Sequence, residues 1–497
     1  MVRPRGGTLL PQHVVAELRS VLDPEDVLTE RADLISYSID GTWLEARPEC
    51  VVLPRSVEQI AAVLKVANRE RIPVVPRGGA SNLSGGTIPT SGGIVLNLAQ
   101  LNRILEIDTD NLLAVVQPGV LTHDLDKAVM ARGLYYPPDP SSLHQSTLGG
   151  NVAENAGGLR CLKYGVTSKY VLGLQYVTAT GQIGRAGGRV IKNVTGYQLE
   201  QLLVGSEGTL AVVTEITLRL IPRPRFKRTA MAIFPTLDGA SQTVADVTRA
   251  GIVPAALELM DQTSIRIVEE VRHLGLPTEA EAILLVECDG NHEGAIEDEM
   301  DRITGILRAN GASVQLARDE AEGEELWAAR RAVSPATARL KPNKLGEDVS
   351  VPRSAVPAMI RRCREIGAKY DLLMPIWGHA GDGNVHPNLL FDQRDPEEVE
   401  RVQAAAAEIF EAAVALGGTI TGEHGVGILK REFLGIALDP ATIAVMRSLK
   451  AAMDPNNILN PGKIFPEGEG NRRVPVQLVL TGAGAGEVES TTATPIR

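Results

Sequence analysis

After Ser56 the apolar residues Ile60, Val63, Leu64 and Ala67 recur at helical spacing, and Gln59 stands three positions beyond the serine. This is the pattern of a helix entered through a capping box. Ile72-Pro-Val-Val75 then reads as a short buried strand running into a glycine-rich turn at 77–86. Further β patterns lie at 94–98, 113–116 and 211–220, the last with Ile216, Leu218 and Leu220 alternating with Thr217 and Arg219. Helix and strand patterns interleave over residues 48–222, which predicts an α/β domain. Ile221-Pro-Arg-Pro-Arg225 interrupts it, because proline lacks the N–H of a ladder and clashes inside a helix. A domain boundary is predicted there. Beyond it, strands at 230–234, 256–260 and 282–287 alternate with helical stretches, predicting a second domain over 226–440 with helices on one face of a sheet. Its strongest helix is 396–416, with Asp395 as N-cap, Pro396 at the first position and Gly417 as the stop. Val399, Val402, Ala406, Ile409, Phe410 and Ala413 form its predicted buried stripe. Residues 1–47 form an N-terminal segment. The stretch 467–497, rich in Gly, Ala, Thr and Glu with little periodicity, reads as a mobile tail in which 474–480 offers an edge strand.

The 497 residues suffice for two or three well-buried domains. A formal net charge of -11 offers no basic face for nucleic acid. Cys50, Cys161, Cys288 and Cys363 are far apart and form no CxxC pair, so neither a disulfide scaffold nor an iron–sulfur cluster is indicated. The charged start has no apolar run behind it, and no stretch approaches the ~18 apolar residues of a membrane span. A cytoplasmic protein is expected, not an integral membrane one.

Three segments of the first domain are dense in glycine and small polar residues: 76–86, 146–158 and 205–209. Glycine lets backbone N–H groups turn inward and approach phosphate oxygens without a lysine. Any one segment alone is equally a tight turn. The first is neither a Walker loop nor a GxGxxG fingerprint. Three such segments in one domain indicate a diphosphate cofactor.

Candidate chemistry gathers in the second domain. Ile376-Trp-Gly-His-Ala-Gly-Asp-Gly-Asn-Val-His-Pro-Asn388 carries Asp382-Gly383 between apolar runs, a two-residue hairpin signal. With the turn centred there, His379 lies directly across from His386 and Asn388 points to the same face. Two imidazoles so placed suit one divalent cation, although a pair of surface histidines fits the spacing too. In Gly422-Glu-His-Gly-Val-Gly427 the glycines permit a backbone that aims both Glu423 and His424 inward. Glu423 would complete a His2Glu site with one position open, and His424 is a natural proton acceptor. A hydrolase would use the same ligand set to activate water.

The motifs Arg77-Gly-Gly-Ala-Ser-Asn-Leu-Ser-Gly-Gly86, Pro138-Asp-Pro-Ser-Ser142, Thr147-Leu-Gly-Gly-Asn-Val-Ala-Glu-Asn-Ala-Gly-Gly158, Lys163-Tyr-Gly165, Gly205-Ser-Glu-Gly-Thr-Leu210 and Asn460-Pro-Gly-Lys463 stand in an order over residues 30–466. That order resembles the FAD-linked oxidases of the vanillyl-alcohol-oxidase type, in the branch of the glycolate oxidase FAD subunit and D-lactate dehydrogenase. The resemblance implies an α+β fold: a two-part α/β FAD-binding domain and an α+β cap domain on an antiparallel sheet, with 441–466 returning to the FAD domain. It implies that Gly78, Gly79, Ala80 and Ser81, flanked by Arg77 and Asn82, cradle the pyrophosphate. Pro138, Asp139, Thr147, Gly149, Gly150, Asn155 and Gly158 would line the flavin and ribityl chain. Glu207, Gly208 and Ile216 would lie towards the adenosine, and Asn460 would reach the isoalloxazine. Members with covalent flavin carry a histidine in the first loop; residues 76–86 have none, so non-covalent FAD is expected. By the same resemblance, His379, His386 and Glu423 hold a divalent metal, taken as zinc, Asn388 contacts substrate and His424 is the base. Arg330, in Leu326-Trp-Ala-Ala-Arg330, is the carboxylate clamp; without the resemblance it reads as a solvated helix residue.

The implied activity is oxidation of a small 2-hydroxy acid to the 2-oxo acid by metal-assisted hydride transfer to flavin N5. Relatives acting on D-2-hydroxyglutarate carry a lysine two residues before the aspartate matching Asp348; here that residue is Gly346 and the nearest lysine is Lys344. Glycolate or D-lactate is therefore favoured. A D-2-hydroxyglutarate dehydrogenase and a non-catalytic flavin electron-relay subunit are the alternatives. Electrons must leave to a separate acceptor: an iron–sulfur subunit, a quinone, a cytochrome or oxygen. Partner subunits could place the chain peripherally at the inner face of the membrane.

Overall fold

A computed structural model describes residues 10–466 and 473–474, and the backbone of 479–480. The helix predicted after Ser56 spans Val57–Glu70, and the Ser56 hydroxyl accepts the Gln59 N–H. Gln59 reaches back one residue further than a capping box requires, to the N–H of Arg55. Behind the helix, Cys50–Val52, Ile94–Asn97 and Val74–Arg77 pair in parallel, and Val27–Leu28 joins them antiparallel. Next in the chain comes a five-stranded antiparallel sheet ordered Ile183–Gly187, Val171–Val177, Val212–Arg219, Leu113–Val116, Ile104–Asp108. Residues 458–460 come back to lie against Val74, whose N–H donates to Ile458 O while its carbonyl accepts from Asn460 N–H. Ile458 and Leu459 belong to the same buried cluster as Ile60 and Leu64.

The strand Phe226–Phe234 begins directly after the proline run. It enters a wholly antiparallel eight-stranded sheet that also contains Ala256–Asp261, Ala282–Gly290, Ile376–His379, Asn384–Phe391 and Asn343–Gly346. Whereas the pattern predicts helices on one face, both faces are covered. Leu257, Leu259, Leu284 and Val286 pack with the helices Leu237–Arg249, Glu293–Ala309, Val356–Lys369 and Pro396–Ala415. Ala256, Met260, Ile283 and Leu285 face the other way, under Gln262–Arg272 and Glu320–Thr337. These strands are apolar at nearly every position, the signature of two-sided burial, so alternation could not reveal the second layer. Asp395 caps Pro396–Ala415 through the N–H groups of Glu397 and Glu398; Val402, Ala406, Ile409, Phe410 and Ala413 are buried, and Val399 partly so.

Val479–Leu480 pairs in parallel with Glu45–Ala46, within the stretch predicted to offer an edge strand. The rest of the predicted tail lies outside the described residues, apart from 473–474. No helix among the described residues is long and apolar enough to cross a membrane.

Candidate active site and cofactor cavity

The three glycine-rich segments and the second sheet enclose a cavity of about 630 Å³, within the range of ligand sites. Arg77, Gly78, Gly79, Ala80, Ser81, Asn82, Asp139, Thr147, Gly149, Gly150, Glu207 and Gly208 all line it. A Cβ on Gly79 would stand 2.1 Å from the Gln145 carbonyl oxygen, and one on Gly78 2.2 Å from Thr147 Oγ1. Glycine there lets the first loop press onto the second. The N–H groups of residues 79–82 have no acceptor among the described residues, which fits a cradle for the phosphate oxygens of FAD.

Five positions expected to touch the cofactor are not on the wall. Pro138 adjoins Asp139 without lining the cavity. Asn155 caps the helix Leu148–Glu154 in the left-handed conformation and accepts from Ser168 N–H. Gly158 packs on the Asp139 carbonyl. Ile216 is fully buried in the core of the five-stranded sheet. Asn460 ties two glycine segments together, donating to the carbonyls of Gly86 and Glu207 at 2.8 Å each. Glu207 reaches the wall, but its carboxylate accepts the N–H groups of Val426 and Gly427, anchoring the loop after His424.

The hairpin register differs from the predicted one. His379 pairs with Asn384 and Trp377 with His386, across a four-residue loop at 380–383. Asp382-Gly383 is the second half of that loop. Gly383 takes φ +93, and a Cβ there would strike the Val351 carbonyl. The shift is two residues, so parity is kept and the histidines become diagonal neighbours on one face. Their ring centroids are 5.2 Å apart. Period two places Glu258 and Asn388 on this face as well, under the helix Glu320–Thr337 that carries Arg330.

Glu423 closes the group, with Oε1 3.2 Å from His379 Nε2 and 3.4 Å from His386 Nε2. The potential ligand atoms of the three residues lie within 4.8 Å of one another, a donor set suited to one divalent ion. Burial disfavours a charged His379, but Glu258 and Glu423 on its two nitrogens outweigh that and raise its pKa well above the ordinary value. A metal there would displace a proton.

His424 stacks on His386, centroids 5.2 Å apart. Burial pushes its pKa down to about 4, helped by His386 and Lys430 and opposed by Asp348. Its Nδ1 is sealed off without a partner, leaving Nε2 as the ring nitrogen for a ligand. Asn388 lines the cavity and donates to the His386 carbonyl.

Two residues that hold the site have no sequence signal. Fully buried Asp348 accepts with Oδ2 from Thr421 Oγ1 and from the N–H groups of Gly422, Glu423 and His424, all at 2.8–2.9 Å. This nest bends the segment so that Glu423 and His424 both face the cavity. Glu258 binds Arg330, which is buried on the cavity wall and not a solvated helix residue. Lys344, on the strand with Gly346, also lines the cavity. Its Nζ donates to Ser334 Oγ and sits over the Trp377 ring, and burial pushes its pKa down to about 8.

Comparison with known proteins agrees with this architecture. Residues 48–187 match the family of FAD binding domains, and residues 223–464 the C-terminal domain of FAD linked oxidases. The chain is 49% identical over 459 residues to the glycolate oxidase subunit GlcD of Bacillus subtilis, covering 92% of this chain and 97% of that one. It is 40% identical to the D-lactate dehydrogenase of Archaeoglobus fulgidus, covering 83% and 90%. The fold of p-cresol methylhydroxylase superposes with a TM-score of 0.76 at 18% identity, covering 91% and 96%.

Proposed function

Because the chain belongs to the family of FAD-linked oxidases, we propose that it is a dehydrogenase oxidising glycolate or D-lactate to the 2-oxo acid. The observation that carries this reading is convergence. Arg330, His379, His386, Asn388, Glu423 and His424 come from four separate segments and line the same cavity as the glycine loops.

Bound FAD supplies the two-electron acceptor, and a divalent ion, zinc by its donor set, supplies the positive charge that makes the substrate hydroxyl more acidic. The chain's residues do the rest. Residues 78–82 and 147–150 hold the cofactor, while His379, His386 and Glu423 hold the ion. Arg330 pairs with the substrate carboxylate and Asn388 orients it. His424, neutral near physiological pH, accepts the hydroxyl proton at Nε2 as the Cα hydride leaves. The electrons then pass to a separate acceptor; two relatives, from Bacillus subtilis and Escherichia coli, are named as subunits of a glycolate oxidase, which favours a protein partner.

Without a lysine at Gly346, kcat/KM should be higher for D-lactate or glycolate than for D-2-hydroxyglutarate. The dicarboxylate is the second reading, and Lys344 is the observation that favours it: its ammonium lines the cavity with no acidic partner among the described residues. Steady-state rates with the three acids decide. A clear preference for the dicarboxylate would show Lys344 serving the second carboxylate.

Cofactor attachment has its own check. Acid precipitation should release FAD into the supernatant, since residues 76–86 contain no histidine. A pellet that stays yellow would contradict this and point to His144, which also lines the cavity.

A further inference from the structure

Glu258 is 1% exposed and divides its two oxygens between different machinery. Oε2 accepts a hydrogen bond from Arg330 Nε at 2.9 Å and stands at ion-pair distance, also 2.9 Å, from Nη2. Oε1 lies 2.7 Å from His379 Nδ1. Since Oε1 only accepts, Nδ1 keeps its hydrogen, and Nε2, on the side where Glu423 and His386 stand, is the nitrogen whose proton a metal would displace. On Arg330 the Nε–Nη2 edge is occupied, so the Nη1–Nη2 edge remains for a ligand in the cavity. One buried carboxylate thus fixes which nitrogen of a proposed metal ligand is available and which edge of the proposed clamp faces substrate.

We infer that Glu258 is a positioning residue that couples substrate-carboxylate binding to metal binding in this site. The inference rests on the reading of His379 as a metal ligand and Arg330 as the carboxylate clamp. Glu258 touches neither ion nor substrate; it acts through both residues at once. Neither a structural acid nor a partner for Arg330 alone would do this.

The test uses the FAD-loaded protein with Zn²⁺ as probe and D-lactate as substrate. Glu258→Gln keeps the shape and removes the charge. It should weaken Zn²⁺ binding, measured without substrate, by about 10–100-fold, the range seen when such outer partners are removed. At saturating Zn²⁺ the KM for D-lactate should stay raised while kcat recovers more fully, because the clamp is still misaimed. Wild-type Zn²⁺ affinity and KM in a folded Glu258→Gln protein would overturn the inference.

Should that variant fail to fold, Arg330→Met tests the same coupling from the other end. It leaves every proposed metal ligand intact, yet Zn²⁺ affinity should rise several-fold as the carboxylate, freed of its cation, acts on His379 alone; an unchanged affinity overturns the inference. The two levels separate cleanly. If the wild-type protein itself binds no Zn²⁺, the metal site is wrong and the role of Glu258 falls with it. If the wild type binds Zn²⁺ and turns over D-lactate while the variants match it, only the coupling is wrong.

Discussion

His379→Ala and His386→Ala are expected to bind FAD normally and to lose turnover, by about a thousandfold or more. A bound ion is worth several kcal/mol of stabilisation as charge develops on the hydroxyl oxygen, and about 4 kcal/mol is a factor of a thousand. FAD should stay because the hairpin belongs to the eight-stranded sheet, while the unpartnered N–H groups of 79–82 belong to the first domain. Neither change strands a buried charge: without His379, Glu258 keeps Arg330, and without His386, Glu423 keeps His379. Chelation of the wild-type enzyme should mimic the variants, and added divalent metal should restore only the wild type. Full metal content and wild-type rate in His386→Ala would show the site to be misplaced.

The second large effect concerns the proton. Hydride cannot leave Cα readily while the hydroxyl keeps its hydrogen, and general-base catalysis typically contributes about 10²–10⁴-fold. His424→Asn should slow flavin reduction by that order, with metal content and the FAD spectrum nearly unchanged. The pKa of His424 is pushed down to about 4, so the base is already unprotonated from about pH 6 upward. Its contribution should therefore be flat through neutrality and be lost only as the pH falls towards that pKa. Stopped-flow reduction across pH reads this directly. An unchanged rate and profile in the variant would assign the proton to another group. Loss of metal would make His424 a ligand instead.

The parts of this site legible in the sequence are those whose signal is local. The glycine segments announce a backbone cradle because only glycine allows Gly78 and Gly79 to pack onto Gln145 and Thr147. His379 and His386 share a face because parity survives a two-residue slip in register. What stayed hidden depends on partners far along the chain. Arg330 looks like a solvated helix residue until Glu258, on a strand 72 residues earlier, is seen beneath it. Asp348 shapes the Glu423–His424 turn from 76 residues away, and nothing around it in sequence marks it as an anion nest. The second helical layer was hidden because strands buried on both faces show no alternation. Ile216 and Asn460 are absent from the cavity lining, and their surroundings show core packing for the one and a tie between two glycine segments for the other.

The most direct test of the central claim is flavin absorbance during anaerobic mixing of the FAD-loaded, metal-replete protein with excess D-lactate or glycolate. The oxidised flavin band should bleach, with one 2-oxo acid formed per flavin. A band that persists with both acids, in protein shown to carry FAD and metal, would contradict that claim and leave a flavin subunit that only relays electrons.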